Sequence, residues 1–430
     1  MVTLKRPTAA TAVVAGVAAA ACLSLPPYRG EPLMSYQDKD EDGGATITGS
    51  GFVLHFASGS GFHLPDSLKV GDAEVMGHVG SDSINPMTSS CDSESETGIK
   101  LAPTPRISPD SIAPATQTRL TAVLSGPVVV QVRIDWATHF MCAPLAVPGG
   151  TSTFTVFPEG RIVRHDKLND PTQPVSVDGC ACPGSRYEVG GTFYVSSFWT
   201  FAQAQFGSLN GVDLGASGGS DDMLQPVASK DRYTVDAQYP VVCFDAKDSA
   251  RQVASAWDLP PEVNGQRAST FLFGTTPLVG HRIDKPFGSN MLDLPWDIHG
   301  AVFLEHAGCA AAAKRAHEYL EPSPLRIDEG NPIKPSLLDG MYGGERGDGG
   351  RGIDLGSDRA TLSPPPGGTV PGPFAVWLTF KSSIDVPRAT LQGGTSTPGW
   401  YEPQRVDGRN WILWFRDPLM AGQMIAIAPL

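Results

Sequence analysis

The residues of this chain best suited to acid–base chemistry are two histidines with charged neighbours. His165 stands in the run Arg161-Ile162-Val163-Arg164-His165-Asp166, and His299 follows Trp296-Asp297-Ile298. An imidazole changes charge near neutral pH, so it can take the proton α to a uronate carboxylate if a cation neutralises that acid. Arg133, Arg161 and Arg164 are of the type to supply the cation, with Asp135 beside them. The same residues also read as a lattice of ion pairs on a solvent-facing sheet, a pattern that arises without any function. His165 and His299 are thus the candidate catalytic groups. Arg133, Asp135, Arg161, Arg164 and Trp296 are the candidate ligand-binding groups.

What must position them is alternation along strands. Val128, Val130, Val132, Ile134 and Trp136 recur at every second place, which leaves Val129, Gln131, Arg133 and Asp135 on the opposite side. Thr153 to Phe157 is β-branched and aromatic, Pro158-Glu159-Gly160 supplies a turn, and Arg161 to Leu168 alternates again. The expectation is a strand followed by a hairpin, with one side for the core and one side charged. On a curved sheet the charged side is concave, and a concavity with converging polar groups is where a ligand site belongs. Trp296 and His299 would approach it from the second half of the domain.

Composition and charge narrow the classes. A chain of 430 residues holds one large β domain and a smaller one, and 48 glycines with 38 prolines point to many short strands and long loops. The net charge of −13 would repel a phosphate backbone, which argues against nucleic acid as a partner. Local motifs for a serine nucleophile elbow, a zinc protease, a phosphate-binding loop or a dinucleotide site are absent from the sequence.

Residues 1–21 read as a signal peptide: Lys5-Arg6 precede an Ala/Val-rich run from Ala9 to Ala21 that is too short to span a bilayer. Ala19-Ala20-Ala21-Cys22 is similar to a bacterial lipobox, with Ala where Leu is usual, and lipidated Cys22 would be the only membrane contact. A plain A-x-A cleavage site is the competing reading. Cys91, Cys142, Cys180, Cys182, Cys243 and Cys309 then remain, an even number that in an exported chain favours disulfides. Residues 22–44 are polar and acidic and read as a tether. Asp38-Lys39-Asp40-Glu41-Asp42-Gly43 copies the first half of a calcium loop, but the twelfth position is Gly49, which brings no carboxylate. No metal site and no cofactor are expected, calcium being the one ion with any local support.

Further along, Phe52-Val53-Leu54-His55-Phe56, then Gly61-Phe62, then Leu68-Lys69-Val70-Gly71-Asp72 and Glu74-Val75-Met76 form an ordered opening. Together with Gly126-Pro127 leading a Val-rich strand and the T-x-T-x-F-P-E-G-R-I run from Thr153 to Ile162, this order resembles the galactose-mutarotase-like β-supersandwich superfamily. The resemblance covers Ala45 to Arg326 and implies an exported, carbohydrate-active or carbohydrate-binding protein. Mutarotase members use a His and a Glu whose local motifs are not matched here, so no catalytic residue is carried over.

The fold class expected is all-β, with a large antiparallel supersandwich over residues 45–326 and a small Ig-like β-sandwich over residues 373–430. One short helix is expected at about 308–320 in the Ala-rich run GCAAAAKRAHEYL, and a helical turn at Gln252 to Trp257. Residues 327–372, rich in glycine and proline, read as a linker or elaborate loop. The functional expectation is a surface protein that binds a polysaccharide or other glycan, or that serves as a structural envelope module. The alternative is a polysaccharide lyase or other carbohydrate-active enzyme acting on an acidic polysaccharide.

Overall fold

The computed structural model describes residues 23–24, 31–39, 44–56, 65–76, 84–85, 117–139, 146–168, 191–194, 196–197, 199–200, 204–209, 212–213, 241–246, 252–257, 269–273, 278–285, 297–305, 325–328, 331–332, 351–393 and 401–430. Every regular element among them is a β-strand. The N-terminal sheet holds β2 (Ser35–Asp38), β3 (Ala45–Gly49), β4 (Phe52–Phe56), β5 (Pro65–Val70) and β6 (Ala73–Glu74), in that order. Its inward face carries Ile47, Phe52, Leu54, Phe56 and Leu68, all buried, as the alternation of β3 and β4 requires, where Ala45 and Ile47, and then Phe52, Leu54 and Phe56, fall at every second place.

The central sheet has nine strands. Its chain-order members are β8 (Gln117–Ser125), β9 (Val130–His139), β10 (Ala146–Val156), β11 (Arg161–Leu168), β15 (Ala204–Leu209), β16 (Val212–Asp213), β17 (Val241–Ala246), β18 (Gln252–Trp257) and β21 (Asp297–Glu305). In space they run β16-β15-β17-β18-β21-β11-β10-β9-β8, all antiparallel. Two smaller assemblies accompany it. One pairs β12 (Gly191–Tyr194), β14 (Trp199–Thr200) and β19 (Ser269–Phe273) with β20 (Leu278–Lys285), and the other pairs β7 (Ile84–Asn85) with β13 (Ser196–Ser197).

Two five-stranded sheets close the chain. The first contains β1 (Leu23–Ser24), β22 (Arg326–Asp328), β25 (Ala360–Ser363), β27 (Pro387–Gln392) and β30 (Met424–Pro429); the second contains β23 (Asn331–Pro332), β24 (Arg351–Asp354), β26 (Phe374–Thr379), β28 (Tyr401–Arg405) and β29 (Asn410–Phe415). They enclose one core of Leu362, Phe374, Val376, Leu378, Leu391, Trp411, Leu413, Phe415, Ile425 and Ile427. The other face of the second sheet, with Ala375, Trp377, Ile412 and Trp414, packs on Val128, Val129, Phe157, Val163, Ala301 and Phe303 of the central region. Phe157 meets Trp377 edge to face at 5.9 Å between ring centres.

Several expectations about local structure change. Gln252–Trp257 is not a helical turn but the strand β18, held on one side by β17 and on the other by β21. Pairing with both neighbours supplies all its backbone partners, which outweighs a weak local preference. Residues 327–372, read as a linker, contribute β23, β24 and β25 to the terminal sheets, and β24 pairs in parallel with β26. The acidic stretch 22–44 carries β1 and β2, and the buried Met34 donates its N–H to the Pro127 carbonyl at 2.9 Å. The helix expected at 308–320 lies outside the described residues.

Candidate functional site

The central sheet sets its charged residues in register. Arg133 on β9 stands opposite Thr153 on β10, Thr153 opposite His165 on β11, and His165 opposite His299 on β21. One row therefore crosses four strands, over roughly 14 Å at three inter-strand spacings. Two residues along each strand a second row follows: Asp135, Thr151, Lys167 and Asp297. Alternation puts both rows on the same face. Arg133 is exposed and His165 half-buried. Asp135 and His299 are placed by backbone register.

Along the same face in the other direction the surface is covered. Gln131 donates to Thr155 Oγ1 at 3.0 Å, and beyond that pair Val163 and Ala301 lie under the terminal sandwich. The turn between β10 and β11 explains the geometry there. Pro158-Glu159-Gly160 closes it, with Gly160 N–H bonded to the Phe157 carbonyl at 3.0 Å and Gly160 in the left-handed region at φ 82°. A three-residue hairpin loop needs that conformation at its last position, and glycine adopts it without strain.

Two of the arginines expected on the open face are elsewhere. Arg161 shares the face of His165 but lies at its covered end, only 2% exposed, with its guanidinium 3.7 Å from the centre of the Phe157 ring and its Nε 3.1 Å from Glu159 Oε1. The other oxygen of Glu159 accepts the indole N–H of Trp414 from β29. Arg164 is an even-numbered residue of the strand and so points to the opposite face, where it is fully buried 5.1 Å from the Phe154 ring centre. That side is capped by the N-terminal sheet, whose Phe56 meets Phe154 edge to face at 5.4 Å. Both arginines belong to packed layers, not to the open polar face.

The sequence reading missed the residues of the seam between the central sheet and the terminal sandwich. Gln404 on β28 accepts the N–H groups of Val128 and Val129 at 3.1 and 2.8 Å and donates to the Val129 carbonyl at 3.0 Å. It thus completes the backbone bonding of the residues leading into β9. Glu402, two places earlier and on the same face, has a buried Oε2 with no hydrogen-bond partner among the described residues. Burial pushes its carboxyl up to about 7. Neither residue sits in a recognisable motif, and Gln404 acts through contacts 276 and 275 positions away in sequence. A second partly buried pair joins His55 Nδ1 to Asp66 Oδ1 at 2.5 Å on the N-terminal sheet.

Among the described residues no three His, Cys, Asp or Glu side chains are grouped to hold a metal ion. Cys243 is buried in β17, whereas Cys22, Cys91, Cys142, Cys180, Cys182, Cys309 and Trp296 lie outside the described residues.

No protein-family model matches the chain, and no curated protein matches it. Solved structures share part of its architecture. An α-N-acetylgalactosaminidase from Bifidobacterium bifidum matches 64% of this chain and 38% of its own at 12% identity, with a TM-score of 0.36. A putative aldose 1-epimerase from Klebsiella pneumoniae subsp. pneumoniae matches 64% of this chain and 84% of its own at 10% identity, with a TM-score of 0.27. The heparan sulfate lyase HepC from Pedobacter heparinus matches 77% and 40% at 9% identity, with a TM-score of 0.26. This chain therefore spans less than half the length of the galactosaminidase and of the lyase. At such TM-scores the likeness is one of partial β architecture and carries no functional argument.

Proposed function

We propose that the protein is an exported glycan-binding protein that holds an acidic polysaccharide on the open face of its central sheet. The observation that carries this reading is the row Arg133, Thr153, His165, His299. It combines an exposed guanidinium, a hydroxyl-bearing residue and two imidazole-bearing residues at strand spacing, in a protein whose net charge is −13. Guanidinium forks match carboxylates, and a hydroxyl donates to or accepts from sugar oxygens. Lys167 in the second row adds a further cation. A purely structural role in the envelope is the competing account, in which these groups pair among themselves.

The direct opposition of His165 and His299 favours a second reading, lyase chemistry on the same ligand. One imidazole would take the α proton while Arg133 neutralises the uronate. A panel of uronic-acid polysaccharides tests both readings, with binding measured by calorimetry and new unsaturated ends by absorbance. Binding that weakens in Arg133→Ala without turnover supports the glycan module. Turnover lost in His165→Ala or His299→Ala supports the lyase, and absence of both leaves the structural role.

The same reading has the mature chain anchored through lipid on Cys22 and its other six cysteines paired in disulfides. Cys22→Ser is expected to move the protein from the membrane fraction to the soluble one. Thiol titration of the unfolded, unreduced protein is expected to find no free thiol; six would refute the pairing.

A further inference from the structure

We propose that Glu402 is a pH-sensitive latch on the seam between the terminal sandwich and the central sheet, closed when its carboxyl is protonated and loosened when it ionises. Among the described residues β28 is the edge strand of its sheet, paired with β29 on one side. Its seam-facing residues are Glu402, opposite Trp414, and Gln404, opposite Ile412, and both of those partners belong to the core shared with the central region. Gln404 clamps Val128 and Val129, and Glu402 buries an oxygen without a hydrogen bond among the described residues. A neutral acid tolerates that place, but a carboxylate there is drawn towards water.

Among the described residues, no charge around Glu402 offsets this, and burial alone accounts for the shift of its carboxyl. From the β10–β11 hairpin the seam receives Glu159 and Arg161, which are bonded to each other, with Glu159 further occupied by Trp414. From β26 and β29 it receives Ala375, Trp377, Ile412 and Trp414, and from the start of β9 Val128 and Val129, none of which carries a charge. The carboxyl responds accordingly: desolvation raises it from an ordinary 4.5 to about 7. The folded chain thus keeps the proton to higher pH than the unfolded chain does. Closure is favoured at mildly acidic pH and is lost as the pH rises through about 7. Movement of Glu402 towards water displaces the strand that also bears Gln404, so the clamp on β9 is where the change is read.

Amide hydrogen exchange of the whole protein tests this at Val128 and Val129. After correction for intrinsic exchange, their protection is expected to fall at least about tenfold between mildly acidic and mildly alkaline pH, one pKa unit's worth. Glu402→Gln keeps the shape without the charge and is expected to hold the acidic-pH protection throughout. Equal pH dependence in the variant, or none in the native protein, overturns the proposal. Should the variant not fold, carbon-13 titration of the native Glu402 carboxyl decides, and an ordinary glutamate value rejects the latch.

Discussion

Trp414 donates its indole N–H to Glu159 Oε2 at 2.9 Å, a bond between positions 255 apart in sequence. Because Glu159 also pairs with Arg161 through its other oxygen, one carboxylate joins the terminal sandwich to the hairpin of the central sheet. Both members of the ion pair are nearly enclosed, at 2% and 6% side-chain exposure.

Glu159→Ala should therefore be costly. It removes the carboxylate from a buried guanidinium, and breaking such a pair costs about 3–5 kcal/mol. Trp414→Phe keeps most of the ring packing and loses one hydrogen bond, at about 1 kcal/mol. Urea denaturation of both variants checks the ranking. Equal, small losses would show that the seam does not depend on this contact.

Gln404→Ala should destabilise by roughly 2–4 kcal/mol, because it strips partners from the N–H groups of Val128 and Val129 and from the Val129 carbonyl inside the protein. A side chain added at Gly126 would run into the amide of Gln404, so Gly126→Ala should act on the same clamp. The two changes are then expected to combine to less than their sum in a double-mutant cycle. Full additivity would count against a shared clamp.

Arg133 and Arg164 should separate binding from folding. Arg133→Ala, at an exposed position, should leave the melting temperature almost unchanged while weakening acidic-glycan binding by about tenfold, the loss expected of one charge-assisted contact. Arg164→Ala should do the reverse, with a loss of about 3 kcal/mol from the emptied volume against Phe154. If Arg164→Ala is stable and Arg133→Ala binds normally, the open face is not the ligand surface.

Asp407 should give a pH dependence of opposite sign to Glu402. Its carboxyl is held below the ordinary 3.8 by the Asn410 side-chain amide first, then by the N–H groups of Arg409 and Asn410, in the turn from β28 to β29. A lowered carboxyl stabilises the fold above its ordinary value and loses that effect as the pH falls through the lowered one. Asp407→Ala should thus lower the melting temperature at neutral pH, with the difference shrinking in acid. A difference that persists unchanged at about pH 2 would contradict this.

The strand character of the central segment was legible from residue order alone. Val128, Val130, Val132 and Ile134 are apolar at every second place and all are buried, and Arg133 falls on the exposed side as alternation requires. The hairpin around Pro158-Glu159-Gly160 was legible for the same local reason, since its turn residues act on their immediate neighbours. The fates of Arg161 and Val129 were not. Period-two alternation says which face a residue takes but not what covers that face, and here one end of the polar side lies beneath Ala375, Trp377, Ile412 and Trp414 of the terminal sandwich. The register that aligns Arg133, Thr153, His165 and His299 was likewise beyond local reading, because β21 joins β11 from more than 100 residues away. Local sequence determined the strands of the central segment and their two sides, but not β18 or the strands within 327–372. Only long-range pairing and layer packing decided which charged residues stay open to a ligand, because burial depends on what the rest of the chain brings against each face.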